Sequence, residues 1–204
     1  MVRYAWLIDT SRCIGCNTCT IACKDQFVGN DWPPYSAAQQ GAVVDNTGWQ
    51  SKQGHMWISV GEKQWGKAAD FSTKVRYMAE PCMLCDDPPC VKAATGGAMY
   101  KRPDGIVIID PVKSKGQQQI VAACPYGKIF WNDQLQIPQK CTQCAHRLDV
   151  GLQPACVNAC PVTGVMTFGD EATLASAIAD KKAVVLSPEL KTVPKVYYAG
   201  LPTS

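Results

Sequence analysis

Short stretches of hydrophobic residues recur along the chain, and their lengths suit β-strands. The first, residues 3–8 (RYAWLI), alternates and is rich in aromatic residues, a pattern typical of a strand. Further strands are predicted at residues 74–78, 106–109, 129–131, 165–168 and 183–186. No hydrophobic run approaches the roughly 18 residues that a helix needs to span a bilayer, so we expect no transmembrane segment.

Short helices are predicted beside these strands, where the chain has to turn a cysteine back toward its neighbours. They cover residues 17–24, 89–94, 117–123 and 154–159, and an alanine-rich helix follows at 171–179. The mixture of short strands and short helices predicts an α+β fold.

The composition is that of an ordinary folded protein, with one exception. The chain has 204 residues, of which 47% are hydrophobic and 18% charged, and these proportions exclude disorder. The length suits one large domain or two small ones. The net charge of +3 is too small to indicate nucleic-acid binding, and we expect none. The exception is the number of cysteines, which is 12.

A disulfide framework is the first explanation to weigh, because the number of cysteines is even. Such frameworks suit small secreted domains that cannot build a sufficient core, whereas this chain is long enough to build one, and we expect no signal peptide in its first residues. The spacing argues further against disulfides. Neighbours in the run Cys13, Cys16, Cys19 and Cys23 are too close to pair readily with one another, but they can converge on one metal centre.

Zinc is the second explanation, since the pairs Cys82/Cys85 and Cys141/Cys144 would suit sites built from four thiolates. Zinc sites usually bring two such pairs from separate segments. The run that starts at Cys13 instead has three close thiols and a fourth four residues later, which is the bacterial ferredoxin arrangement for [4Fe–4S] clusters. The sequence therefore favours iron–sulfur clusters.

In two-cluster ferredoxins the fourth cysteine of each run binds the cluster of the other run. The partner of the first run is the segment that closes with Cys160 and Pro161. The exchange predicts a site 1 that consists of Cys13, Cys16, Cys19 and Cys160. It predicts a site 2 that consists of Cys23, Cys141, Cys144 and Cys156.

The four remaining cysteines form one further set, site 3, which consists of Cys82, Cys85, Cys90 and Cys124. The same spacing places the ligands of a fourth site at positions without cysteine, namely Ala94, Ser114, Gln117 and Ile120. All four of these positions belong to one site under the exchange rule. We therefore predict three clusters, and we expect side chains to fill the place of the fourth.

Two nested ferredoxin-like units follow from this pairing. Residues 1–26 together with 132–170 form a unit that holds two clusters, and residues 81–131 form a unit that holds one. Residues 27–80 are an insertion, and residues 171–204 form a C-terminal helix and an extended arm.

The insertion and the arm each leave two interpretations. The insertion is rich in aromatic residues, which favours docking of a partner. The alternative is a surface loop with one hairpin that pairs residues 55–60 with 74–78. The arm contains Val196, Tyr197 and Tyr198, and it lies either on another subunit or on its own domain.

A cluster held by four thiolates has no open coordination position, so electron transfer is the predicted chemistry. Lys24, Lys92 and Lys140 lie near ligands, where a positive charge favours the reduced cluster; the alternative is that they face water. His146 is either a hydrogen-bond donor near site 2 or an ordinary structural histidine. No nucleophile elbow, phosphate loop or dinucleotide fingerprint is present, so we assign no catalytic residue.

The cysteine plan and the segments around it resemble the iron–sulfur subunits of the DMSO reductase family of molybdopterin oxidoreductases. The segments are 87–92 (DPPCVK), 100–107 (YKRPDGIV) and 123–127 (ACPYG). Segments 32–35 (WPPY), 139–146 (QKCTQCAH) and 194–198 (PKVYY), with three sites instead of four, are similar to a phenol-modifying group. That group includes the small subunits of pyrogallol–phloroglucinol transhydroxylase, resorcinol hydroxylase and the catechol dehydroxylases.

The resemblance implies an electron-transfer subunit in a heterodimer or larger complex. A large partner subunit would carry a molybdenum or tungsten bis-pterin-guanine-dinucleotide centre and the active site for a phenolic substrate, and an external electron donor or acceptor would complete the path. The alternatives are a subunit of another molybdopterin oxidoreductase, a free polyferredoxin and a structural zinc scaffold. We expect a cytoplasmic location, because cytosolic thiols suit cluster assembly; export of the folded complex with a partner that carries the signal is the alternative.

Overall fold

The computed structural model describes residues 2–27, 55–66 and 73–201. The strands in these ranges are β1 (Tyr4–Asp9), β2 (Ser59–Trp65), β3 (Lys74–Glu80), β4 (Met99–Lys101), β5 (Val107–Ile109), β6 (Ile129–Asn132), β7 (Ile137–Lys140), β8 (Met166–Asp170), β9 (Val184–Val185) and β10 (Val196–Ala199). The helices are α1 (Thr18–Phe27), α2 (Pro89–Ala93), α3 (Gln119–Ala122), α4 (Ala145–Leu148), α5 (Ala155–Ala159) and α6 (Glu171–Asp180). A turn of 3₁₀ helix lies at Pro188–Leu190.

The largest sheet has four strands in the order β8-β1-β10-β9. β1 pairs antiparallel with β8 and parallel with β10, so that Trp6 lies opposite both Phe168 and Val196. A strand with a neighbour on each side is protected from water at its backbone, and all positions of β1 after Tyr4 are buried. β1 leads directly into the first cysteine loop.

The remaining strands form three antiparallel hairpins, β2–β3, β4–β5 and β6–β7. β3 leads into the loop that contains Cys82, and β7 leads into the loop that contains Cys141. The hairpins β2–β3 and β6–β7 thus each precede a cysteine loop along the chain, and β4–β5 follows helix α2, which contains Cys90.

The predicted strands and helices that fall in the described residues are present, with ends that differ by at most three residues. The mixed content of short helices and small sheets is as predicted. A hairpin that uses residues 74–78 is present, but the predicted pairing with residues 55–60 is wrong, because residues 74–78 pair with residues 61–65. Trp57 and Ile58 lie in the core before its first strand.

Strands β4, β7 and β10 and helix α4 were not predicted. The sequence of β7 is IPQK, which contains a proline and two polar residues, yet all four positions are buried. The reason is that Lys140 finds backbone carbonyl partners inside the protein. A hydrophobic pattern in the sequence cannot show that a polar side chain will find a hydrogen-bond partner far away in the chain, as Lys140 does at Val107.

Of the two interpretations of the C-terminal arm, the structure shows packing on its own domain for residues 196–199. Tyr198 is buried, and its hydroxyl donates to the carbonyl of Ala79 at 3.1 Å. The hydroxyl of Tyr197 donates to the Glu171 carboxylate at 2.7 Å. The arm is therefore a strand of the central sheet.

Within the insertion, Trp57 is a core residue and not a docking residue. Its side chain is buried, its ring lies 4.9 Å from that of Phe27, and Thr20 donates to the neighbouring carbonyl of Ile58 at 3.1 Å. The burial of so large an aromatic surface stabilises the fold instead. Trp32, Tyr35 and Trp49, which also motivated the docking hypothesis, lie outside the described residues.

Buried hydrophobic side chains form two groups. The larger one joins the central sheet to α1 and the β2–β3 hairpin, and it includes Trp6, Ile8, Phe27, Trp57, Ile106, Phe168 and Tyr198. The smaller one surrounds α3 and includes Met99, Val107, Ile120 and Ile129. Across the described residues, no helix combines the length and the apolar character that crossing a membrane requires.

Candidate metal centres

The four cysteines predicted for site 1 line one cavity. Its volume is about 330 Å³, part of it open to solvent, and its walls include Val60, Ala79 and Pro161 in addition to Cys13, Cys16, Cys19 and Cys160. The chain enters through the loop after β1, where Gly15 and Asn17 adopt positive φ. Cys19 lies in the first turn of α1, and Cys160 directly follows α5.

Site 1 is the most open of the three predicted sites. Cys16 is exposed, whereas Cys19 is buried. The hydroxyl of Thr18 donates to the Cys16 sulfur at 3.3 Å, and this hydrogen bond lowers the pKa of the Cys16 thiol. Burial raises the pKa of Cys19 to about 11.

The four cysteines predicted for site 3 line a second cavity, of about 360 Å³ including its open part. Its walls include Pro88, Val107, Tyr126 and Lys140 in addition to Cys82, Cys85, Cys90 and Cys124. Pro89 opens helix α2, a position where its missing N–H costs nothing, and Cys90 is the next residue of the helix. Cys124 follows α3 and accepts from the backbone N–H of Lys128 at 3.4 Å.

Site 2 lies deepest. Cys23 and Cys156 come from α1 and α5, and these two helices pack against each other. Cys141 and Cys144 bracket a turn in which Cys144 has a φ of 52° and the Gln143 N–H donates to the Cys141 sulfur at 3.4 Å. All four cysteines are buried. The pKa of Cys156 is raised, and burial is the largest cause. The neighbouring sulfurs of Cys144, Cys141 and Cys23 raise this pKa further.

The predicted sites are neighbours in the order 1, 2, 3. Cys19 of site 1 and Cys23 of site 2 lie one turn apart on the buried side of α1, which corresponds to about 6 Å between Cβ atoms. Sites 2 and 3 meet at Cys141, because the Cys82 sulfur is near enough to raise its pKa in addition to burial. The side-chain amide of Gln143 also donates to the carbonyl of Cys82 at 3.0 Å.

Burial makes the thiolate form of several predicted ligands costly. Burial raises the pKa of Cys85 and Cys141 to about 12 and that of Cys90 to about 11. A metal ligand has to be a thiolate. Because water does not reach the buried cysteines, a cationic metal core in each site would have to stabilise their thiolates.

The spacing of the thiols suits a cluster better than one zinc ion. Within the described ranges, no three His, Cys, Asp or Glu side chains approach closely enough to hold a single metal ion, although all twelve cysteines lie in those ranges. In sites 1 and 3 the thiols instead stand around a cavity. A single zinc ion would leave such a space unfilled.

Side chains occupy the place of the fourth site. Ile120 is fully buried and packs in the group around α3, with Ala94 and Cys124 at its border. Gln117 bridges two segments: it donates to the carbonyls of Lys113 at 2.8 Å and Thr95 at 3.2 Å, and it accepts from the Thr95 N–H at 3.0 Å. Ser114 is fully buried as well. These contacts agree with the expectation of a filled corner.

The three lysines near the cysteines differ in their surroundings. Lys92 is exposed and pairs with Asp87 at 2.5 Å, so it faces water. Burial lowers the pKa of Lys24. Lys140 is buried at the wall of site 3.

His146 belongs to the packing around α1. Its ring meets that of Phe27 edge-on at 5.3 Å. Burial lowers the pKa of His146 to about 4, and the nearby charge of Arg147 adds to this effect. The edge-on packing against Phe27 favours a structural role.

Three residues near the sites, Gln143, Lys128 and Thr192, were not predicted from the sequence. Gln143 stands between two ligands of site 2 and links them to site 3, and its place inside a C-x₂-C spacing was the available signal. Lys128 lies four residues after Cys124 and pairs with Glu80 at 2.7 Å. Thr192 bonds the Tyr126 hydroxyl at 2.6 Å, and nothing local in the sequence indicates this contact.

Comparison with known proteins agrees with this chemistry. The 4Fe-4S dicluster domain family matches residues 73–171, a segment that contains every cysteine after Cys23. The chain is 36% identical to the pyrogallol hydroxytransferase small subunit of Pelobacter acidigallici, over 98% of this chain and 70% of that protein. It is 32% identical to one chain of the anaerobic dimethyl sulfoxide reductase of Escherichia coli, over 91% of this chain and 82% of that relative.

The protein belongs to the iron–sulfur subunits of the DMSO reductase family. A further relative is a subunit of the tetrathionate reductase of Salmonella typhimurium, which is 37% identical over 98% of this chain and 73% of that relative. As a member of this family, the chain is an electron-transfer subunit that binds [4Fe–4S] clusters. The family resemblance inferred from the cysteine spacing is thereby confirmed.

Proposed function

We propose that this subunit holds three [4Fe–4S] clusters in series and passes single electrons within a complex that acts on phenolic aromatic compounds. The observation that carries the proposal is the grouping of all twelve cysteines. One cavity lined by Cys13, Cys16, Cys19 and Cys160 supports site 1, and a second lined by Cys82, Cys85, Cys90 and Cys124 supports site 3. The influence of Cys144, Cys141 and Cys23 on Cys156 supports site 2. When bound, a [4Fe–4S] cluster accepts and releases one electron at a time.

The chain's own residues would hold and separate the clusters. In our proposal the first and last cysteine segments form one ferredoxin-like unit (residues 1–26 with 132–170) around sites 1 and 2. Residues 81–131 form the second unit, around site 3. Apolar walls such as Val60 and Ala79 at site 1 and Val107 at site 3 limit the access of water, which protects a cluster and tunes its potential.

A large catalytic partner completes the proposed complex. The pyrogallol hydroxytransferase relative is by name a small subunit, which supports a heteromeric assembly. On this proposal the partner carries a molybdenum or tungsten bis-pterin-guanine-dinucleotide centre, and electrons pass between that centre and an external donor or acceptor. The insertion at residues 27–80 is the proposed docking segment.

The phenolic substrate class rests on two observations. One is the similarity to the pyrogallol hydroxytransferase small subunit, and the other is the absence of cysteine at the four positions predicted for a fourth site. A second candidate is a role in another molybdopterin oxidoreductase, which the similarity to the tetrathionate reductase of Salmonella typhimurium supports equally well in percent identity.

The proposal is tested on the complex purified through a tag on this chain. We expect about twelve iron and about twelve acid-labile sulfide atoms per chain, since each cluster brings roughly four of each, and a large co-purifying chain that contains molybdenum or tungsten. Zinc without sulfide would reject the clusters, and a monomer without a partner would support a free polyferredoxin. Turnover of a polyhydroxylated phenol, with none of tetrathionate or dimethyl sulfoxide, separates the two candidate functions.

A further inference from the structure

Two lysines of the described chain are almost completely buried, and they differ in how their charges are balanced. Lys128 is 8% exposed and donates to the Glu80 carboxylate at 2.7 Å. Lys140 is 3% exposed, and its Nζ donates to the carbonyls of Val107 at 2.6 Å and Cys141 at 2.9 Å. In the described part of the chain, Lys140 has no carboxylate within 4.0 Å.

A buried ammonium group without a counter-charge is costly, because backbone carbonyls replace only part of its hydration. A negative charge close by therefore has to offset that cost. The candidates are the sulfurs of the cysteines around Lys140. Cys90 and Cys124 line the cavity whose wall contains Lys140, and Cys141 directly follows Lys140 in the chain.

These three cysteines belong to two different sites. Cys90 and Cys124 are in site 3, whose cavity Lys140 lines. Cys141 is in site 2 and is the next residue in the chain, and its own carbonyl is one of the two acceptors of the Lys140 ammonium. The other acceptor, the carbonyl of Val107, belongs to a residue in the wall of site 3. The ammonium group thus lies in the partition between sites 2 and 3.

The fold holds Lys140 in this position. It is the last residue of β7, directly opposite Ile129 in the hairpin with β6. Ile129 is itself buried in the group around α3. The side chain is therefore anchored at its base by a strand pair and at its tip by two hydrogen bonds, so the charge cannot move out to water.

We propose that Lys140 is a fixed internal cation, shared by sites 2 and 3, that raises the reduction potentials of both clusters relative to that of site 1. The inference rests on the proposed function, since it requires clusters at both sites. The physical reason is that a cluster with four thiolates is anionic and gains one more negative charge on reduction. A nearby positive charge in a medium of low dielectric constant stabilises the reduced form more than the oxidised form.

The test is a redox titration, followed by electron paramagnetic resonance, of the purified complex with wild-type chain or with Lys140→Met. Signals are assigned to sites 2 and 3 with Cys23→Ser and Cys124→Ser. We expect Lys140→Met to lower two of the three potentials by at least about 59 mV, which equals tenfold in a one-electron equilibrium. The potential of site 1 is expected to stay at its wild-type value.

Lys92→Met is the matched control. Lys92 is two residues from Cys90 but exposed and paired with Asp87, so water screens its charge. We expect Lys92→Met to change each equilibrium by less than about twofold. A similar shift in both variants, or an equal shift of all three clusters, would show that total charge and not the position of Lys140 matters, and would overturn the inference.

Two further variants decide the case in which Lys140→Met does not assemble. Lys140→Gln removes the charge but keeps a donor, and it should lower the same two potentials. If no neutral variant retains iron, Lys140→Arg is measured: wild-type potentials support the inference, and lowered potentials at sites 2 and 3 overturn it. Iron content separates this inference from the proposed function. Much less than twelve iron atoms in the wild-type chain rejects the three clusters, whereas full iron content with unmoved potentials in Lys140→Met rejects only the role of Lys140.

Discussion

Trp6 and Gln143 are joined by a hydrogen bond of 2.8 Å between the indole N–H and the side-chain oxygen, in the interior of the protein. Trp6 is in the middle of the central sheet, and Gln143 is between two ligands of site 2. The amide group of Gln143 also donates to the carbonyl of Cys82. One side chain thus ties the sheet to the loops of sites 2 and 3.

Gln143→Leu is expected to destabilise the protein by about 2 to 4 kcal/mol, because it leaves two buried polar groups, the Trp6 N–H and the Cys82 carbonyl, without a partner. The measurement is guanidinium-induced loss of the visible cluster absorbance. Gln118→Leu is the control, since Gln118 is exposed. Equal midpoints for the two variants would show that the bridge contributes nothing.

The exchange of fourth ligands predicts which substitutions resemble each other. Cys160→Ser should remove the same paramagnetic signal as Cys13→Ser, because both residues line the cavity of site 1. Cys23→Ser should instead act like Cys156→Ser, since these two sulfurs influence each other in site 2. Each variant is expected to lose up to about four iron atoms. If Cys160→Ser matched Cys156→Ser instead, the exchange would be wrong.

Gly15 lies in the loop of site 1 with a φ of 70°, and a Cβ at this position would lie 2.7 Å from the ring of Tyr77. Gly15→Ala therefore has two costs. A left-handed backbone conformation costs a non-glycine residue about 1 to 2 kcal/mol, and the new methyl group also clashes with the Tyr77 ring. We expect site 1 to lose its iron. The measurements are iron content and the paramagnetic signal of site 1.

Gly97→Ala is the control for this substitution, because Gly97 has a φ of 71° and nothing within 4 Å of its added Cβ. It bears the backbone cost alone, so the iron content should stay at the wild-type level. Iron loss in both variants would mean that the backbone conformation, and not the contact with Tyr77, limits site 1.

Ile120 stands at a position that the spacing predicts for a ligand of a fourth site, and its side chain is fully buried. Ile120→Ala should lower the free energy of unfolding by about 2 to 4 kcal/mol, as expected for a cavity in a packed core, with no change in iron per chain. Val121→Ala, at the half-buried neighbouring position, should cost clearly less. A drop in iron would indicate that this corner holds part of a cluster after all.

The proposed cysteine sites could be predicted from the sequence, because metal sites of this kind are built from short local spacings. Cys13, Cys16 and Cys19 meet within one loop and helix turn, and the closing role of Cys160 follows from the symmetry of the motif. The strands were predictable for a similar reason, since residues 3–8 and 74–78 carry their hydrophobic pattern locally. The family membership followed from the same local segments.

The tertiary structure decided what lies between those segments. The sequence showed Lys140 only as a charge next to a cysteine; its burial depends on the carbonyl of Val107, which the fold brings to it. The sequence suggested that Trp57 could contact a partner, but the ring of Phe27 packs against it. Residues Val196–Ala199 were predicted to be an extended arm, and in the structure they pair with β1. Each of these outcomes is a contact between residues distant in the chain, and local periodicity contains no information about such contacts.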